Sequence, residues 1–123
     1  MEKVNNYVSL NNKYLRQADA LVKQGDWVQA SEKFWGAAAE MVKAVAARRG
    51  IELQSHGELY QFVAKLSQDF NSPQLHRLFA IASALHQNFY ENWLPAETVI
   101  EDGEAVKELV ELLRKPGGDK SCH

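Results

Sequence analysis

Apolar residues in this chain return every three or four positions in five successive stretches, and the strong helix breakers fall between those stretches. The chain has only three prolines and seven glycines to punctuate its 123 residues. A spacing of three and four places side chains on one face of an α-helix, whereas a half-buried strand would alternate. The pattern therefore restricts the chain to an all-α fold in which amphipathic helices bury their stripes against one another.

In the first stretch Tyr7, Leu10, Tyr14, Ala18 and Leu21 mark a helix that ends near Gln24-Gly25, where glycine suits a C-terminal cap. Asp26 offers an N-cap for the second, with Gln29 three residues on, and Trp27, Ala30, Phe34, Ala38, Met41 and Val45 trace its stripe to about Arg49-Gly50. Gly36 to Ala39 are all small, which lets a second helix approach closely, so this helix is expected at the centre. A third start is written in Ser55-His56-Gly57-Glu58, whose hydroxyl and carboxylate are expected to satisfy each other's backbone N–H groups, and Leu59, Phe62, Val63 and Leu66 follow. Asn71-Ser72-Pro73 breaks that helix and supplies an N-cap and first-turn proline for a fourth, carrying Leu75, Leu78, Phe79, Ala82, Leu85 and Phe89.

Asn92-Trp93-Leu94-Pro95 closes the fourth helix, and a fifth is expected from about Thr98, burying Val99, Val106, Leu109, Val110 and Leu113. Its acids Glu101, Asp102 and Glu104 come early and Arg114 and Lys115 late, as the helix dipole prefers. Short connections imply antiparallel neighbours. The expected architecture is an up-and-down antiparallel four-helix bundle with an additional C-terminal helix, a single domain over residues 1–115 and a disordered tail over 116–123.

Composition narrows the function classes. A formal net charge of -2 removes the general electrostatic argument for nucleic acid or membrane, so any RNA contact must be local. The lone cysteine, Cys122, permits no internal disulfide. No apolar run approaches the roughly 20 residues a membrane helix needs, and no signal-type segment opens the chain. The expected setting is cytoplasmic, with no membrane partner.

The chemistry-bearing motifs are few. There is no Walker loop, no cysteine pair at zinc spacing and no His-Glu-x-x-His, and His56, His76, His86 and His123 stand on separate segments. No metal and no cofactor is expected. His86 sits in a polar and aromatic run, Leu85-His86-Gln87-Asn88-Phe89-Tyr90-Glu91, on an otherwise apolar helix. Arg77, His86, Asn88 and Tyr90 are the candidate ligand contacts from that helix. Arg49 and His56, with six residues between them across a loop, form a second candidate pair, able to place a guanidinium on phosphate beside an imidazole base. The segment from Glu91 to Glu111 is acidic with only Lys107 opposing, a solvated face or a dock for a basic protein partner.

Gly25-Asp26-Trp27 with Ala30-Ser31-Glu32-Lys33-Phe34-Trp35-Gly36-Ala37-Ala38-Ala39, then Ser55-His56-Gly57-Glu58-Leu59, then Leu85-His86-Gln87-Asn88-Phe89-Tyr90-Glu91 together resemble the archaeal PaREP group of the HEPN superfamily over about residues 5 to 95. The resemblance implies a four-helix up-and-down bundle that self-associates, in a superfamily that includes RNA-cleaving toxins and nucleotidyltransferase partners. Its ribonucleases carry an Arg, four to six residues, His motif at the start of the last core helix. Arg77 and His86 stand farther apart than that, and Arg49 and His56 match the spacing on the wrong element, so the catalytic assignment is not carried over.

The leading expectation is a non-catalytic homodimeric interaction module or nucleotide- or RNA-binding protein. The enzymatic alternative is a metal-independent ribonuclease of toxin type, with Arg77 of one subunit meeting His86 of the other across a two-fold axis. A third reading, a tetratricopeptide-like adaptor, rests on Ala18 to Ala47 resembling one helical hairpin, which the rest of the chain does not repeat.

Overall fold

A computed structural model describes residues 2–114 and folds them into five helices: α1 (Glu2–Gln24), α2 (Trp27–Arg48), α3 (His56–Asp69), α4 (Pro73–Glu91) and α5 (Ala96–Arg114). Among the described residues there is no strand. The expected tail, with Cys122 and His123, lies outside them.

Local chemistry explains the boundaries. Gly25 and Gly50 take φ of +77° and +74°, and Asn71 takes +50°. Each hands its own N–H and the next residue's N–H to the last turn: Gly25 to Val22 O and Asp26 to Leu21 O, Gly50 to Ala47 O and Ile51 to Ala46 O, Asn71 to Gln68 O and Ser72 to Ser67 O. This is the Schellman arrangement, which satisfies carbonyls a helix end otherwise leaves free. Asp26 and Ser55 cap the starts of α2 and α3 by accepting from Gln29 N–H and Glu58 N–H.

Some local details depart from expectation. The Glu58 carboxylate accepts from Gln54 N–H, one residue outside the cap, so the exchange with Ser55 is not reciprocal. Ser72 stands at the N-cap of α4 without a side-chain bond; Pro73 sets that start by its fixed φ. The last helix begins at Ala96, two residues early, and so holds Glu97 in its first turn, with Glu101, Asp102 and Glu104 further along. Gly36 and Gly103 lie inside helices, where their missing side chains admit neighbours.

More than half of the 22 residues of α2 are buried, and the helix packs against α1, α3, α4 and α5. Fully buried Ala38, Ala44 and Ala46 keep its surface low enough for neighbours to come close. The fifth helix is a wall of the core rather than an attachment to it. It packs on both α2 and α4, and Val99, Val106, Leu109, Val110 and Leu113 join one continuous apolar cluster with Phe34, Met41, Phe62, Leu66, Phe79 and Leu85. Each such large side chain contributes about 1.5–3 kcal/mol by leaving water.

Two asparagines occupy core positions. Asn11 is fully buried on α1; its Nδ2 donates to Ala37 O at 2.7 Å, and its Oδ1 accepts from Arg114 Nη2 at 2.9 Å. The same nitrogen donates to Asn12 Oδ1, so the end of α5 is pinned to the middle of α1. Asn88, also fully buried, accepts at Oδ1 from Trp93 N–H and Leu94 N–H, both at 2.8 Å, and donates to Ser31 Oγ at 3.0 Å. It therefore fixes the turn from α4 to α5 against α2.

Candidate functional site

A cleft of about 430 Å³ opens on the polar side of α2. Glu32, Gly36, Glu40 and Lys43 recur along that side at steps of four, four and three, so the helix turns all of them toward one space. Tyr14 of α1 forms one wall. A Cβ at Gly36 would stand 3.0 Å from the Tyr14 ring, so glycine is what lets the ring lie this close. Lys33 Nζ sits 5.0 Å from the centre of the same ring, a cation–π contact. Gln54, Ser55 and His56 bring in the N-terminal end of α3, and His86 closes the cleft from α4.

At the floor is an aromatic triad. The Trp35 indole is stacked with His56 at 4.6 Å and with His86 at 5.1 Å, and the two imidazoles are 5.5 Å apart. Three nearly equal separations put both imidazoles on the same side of the indole. Tyr60 stacks on His56 at 5.5 Å, and Tyr90 meets His86 edge-on at 5.4 Å.

Each imidazole has one polar partner. His86 Nδ1 lies 2.9 Å from Glu32 Oε1, with both side chains part-buried. A carboxylate can only accept, so Nδ1 carries the hydrogen, and in the neutral ring the lone pair is then on Nε2. His56 Nε2 lies 3.1 Å from Ser83 Oγ, one turn before His86 on α4. Burial, followed by the neighbouring His86, holds the His56 imidazole below its usual range. Glu40 pairs with Lys43 at 3.4 Å. The cleft thus combines two cations, two carboxylates and two imidazoles.

The candidates read from the sequence divide by position. His56 and His86, drawn from two different candidate sets, meet in the cleft. Tyr90 touches His86 but is 70% exposed. Asn88 faces the core in the bonds described above. Arg77 is exposed and lies nine residues from His86 on α4, about 180° around the axis, so the two do not meet within one chain. Arg49 turns away from the cleft, toward Asp69 at 3.4 Å and over the rings of Phe62 and Phe70. Among the described residues no group of three or more His, Cys, Asp and Glu side chains is placed to hold a metal ion.

Sequence reasoning missed Glu32, Trp35 and Lys43. The available signal was the polar series Glu32, Gly36, Glu40 and Lys43, a hydrophilic stripe on a helix whose other sides are apolar.

The profile of the archaeal PaREP1/PaREP8 family matches residues 6–110. The chain belongs to this family. The match takes in all five helices, so α5 is part of the PaREP1/PaREP8 domain, and it covers the cleft residues from Tyr14 to His86. A crystal structure of a Sulfolobus solfataricus protein is similar to this PaREP1/PaREP8 chain, with a TM-score of 0.75, 25% sequence identity, and coverage of 85% of this chain and 92% of that one. Comparison with proteins of curated function gives no match. No helix among the described residues is long and apolar enough to cross a membrane.

Proposed function

We propose that this PaREP1/PaREP8 chain is a HEPN-type up-and-down helical module that holds a phosphate-bearing ligand, a nucleotide or the end of an RNA, in the cleft beside Trp35. One observation carries the reading: Lys33, Lys43, His56, His86 and the N-terminal end of α3 converge on one space of about 430 Å³. That volume falls within the range of small-molecule sites, and both amines and helix N-termini favour anions. Glu32 and Glu40 balance Lys33 and Lys43 in the cleft, so the attraction rests on the placement of the donors rather than on net charge.

Calorimetric titration with AMP and with a short single-stranded RNA tests the proposal. One ligand per chain is expected, with His86→Ala and Lys43→Ala each weakening binding about tenfold, roughly 1.4 kcal/mol. Absence of binding, or variants that bind as wild type does, would sink it. The proposal includes a homodimer, supported by two exposed aromatics, Tyr90 in the last turn of α4 and Trp93 just beyond it, 70% and 62% exposed. A monomeric mass by light scattering at high concentration would remove that clause.

A second reading is favoured by the Glu32 to His86 contact. A carboxylate that fixes an imidazole tautomer is the arrangement of a general base, and His56 stands 5.5 Å away as a second proton carrier. On this reading the chain is a metal-independent ribonuclease whose histidine partner is His56 rather than Arg77. RNA that stays intact with the protein and a chelator across a wide pH range would eliminate it.

A further inference from the structure

We propose that the cleft takes up a proton together with its phosphate-bearing ligand, and that His56 is where the proton settles. This rests on the anion-binding reading of the cleft and adds a regulation to it: occupancy is controlled by pH in the neutral range.

The argument starts from which charges already have partners. On α2, Glu32 accepts from His86 and Glu40 pairs with Lys43, while Lys33 stands over Tyr14 of α1. On α3, Glu58 is engaged with Gln54 N–H, and Tyr60 covers one face of His56. On α4, Ser83 is the polar partner of His56, His86 is the neighbouring imidazole, and His76 lies beyond Tyr60. The carboxylates facing the cleft are thus committed elsewhere, and His56 has a hydroxyl partner but no anionic one.

Three features disfavour a proton on His56 while the cleft is empty. The ring is partly buried, it lies 5.5 Å from a second imidazole, and it belongs to the first residue of α3, at the positive end of the helix dipole. A phosphate group in the cleft reverses the balance of the last two and supplies the missing counter-ion. Protonation needs no rearrangement of the existing contact: Ser83 Oγ can donate to a bare Nε2 or accept from Nε2–H, leaving Nδ1–H as a second donor. The stacked indole of Trp35 also favours the cationic ring. The reaction is an addition: neutral His56, a solvent proton and the phosphate anion give an imidazolium–phosphate pair, with no covalent bond formed or broken.

The test is calorimetric titration of wild-type protein with AMP at about pH 7.5, where a phosphate monoester of second pKa about 6 is already a dianion. Repeating it in two buffers of different ionisation enthalpy counts protons. Uptake approaching about one proton per AMP is expected, with affinity falling by up to about tenfold per pH unit above neutrality. His56→Asn, which keeps a polar partner for Ser83, should bind AMP several-fold more weakly and without uptake. In the wild type, the imidazole C–H resonances of His56 should titrate at higher pH with AMP present than without it. Binding with no proton uptake overturns this proposal alone, as does uptake that persists in His56→Asn or a His56 titration that AMP leaves in place. No binding of AMP between about pH 6 and pH 8 overturns the anion-binding reading, and this proposal falls with it.

Discussion

The ring of Phe34 lies where the Cβ of any larger residue at position 103 would stand: a Cβ built on Gly103 meets Phe34 Cε2 at 2.5 Å and Cζ at 2.6 Å. Glycine inside a helix costs about 1 kcal/mol relative to alanine, so on propensity alone Gly103→Ala should stabilise α5. Phe34 is only 2% exposed and packs in the apolar core, so its ring must displace core neighbours to move. We expect Gly103→Ala to lower stability by about 1–3 kcal/mol through overpacking, measured by urea denaturation. A stabilised variant would mean that α5 can slide on α2.

Asn88 carries three hydrogen bonds at a fully buried position. Asn88→Leu preserves approximate volume but leaves Trp93 N–H and Leu94 N–H without their acceptor; both bonds are part-buried, so water offsets part of the about 1–3 kcal/mol that a fully buried orphan group costs. The expected loss is at the lower end of that range, about 1 kcal/mol, with faster amide exchange at residues 93 and 94. A variant as stable as wild type would show that water replaces the carbonyl.

Ser55→Ala removes the side-chain acceptor from the start of α3 and should cost about 0.5–2 kcal/mol. His56 is the next residue and lines the cleft, so ligand affinity should weaken along with thermal stability. Loss of stability with unchanged affinity would separate the cap from the cleft.

Asp102 supplies a pH prediction. Burial, and then the neighbouring Glu101, hold its carboxyl above the usual carboxylate range. The unfolded chain therefore releases this proton at lower pH than the folded one, and the stability the group contributes in acid is lost as pH rises through its folded pKa. Asp102→Asn should be more stable than wild type at pH 7, with the difference vanishing in acid. Equal melting temperatures at pH 7 would refute it.

His56 has the opposite dependence. Its folded pKa lies below the unfolded value of 6.5, so its contribution is complete above that value and is lost as pH falls through the folded pKa. His56→Asn should flatten the acid side of the stability profile, as followed by thermal melts between about pH 5 and 8. An unchanged profile would assign the acid sensitivity to other groups.

How much of this was legible in the sequence depends on whether the cause was local. Helix spans, the caps at Asp26 and Ser55 and the glycine stops at Gly25 and Gly50 are decided by residues a few positions apart, and the structure has them. The cleft is not local. Glu32 and His86 are separated by 54 residues, and His56 and Ser83 by 27. Gly36 is visible in sequence as a small residue for close packing, but only the fold identifies Tyr14 as its neighbour. Asn11 and Asn88 interrupt apolar stripes, and periodicity treats such residues as surface when tertiary partners make them core.

The bond from Arg114 to Asn11 spans 103 residues. During synthesis α1 leaves the ribosome before the other four described helices, yet the guanidinium that completes its buried amide is among the last of the described residues to appear. Until then Asn11 has an acceptor atom without its native donor, although α1 can already pack along α2. The last of the described helices thus ties down the first, and a nascent fragment stopped short of position 114 leaves Asn11 Oδ1 without that guanidinium.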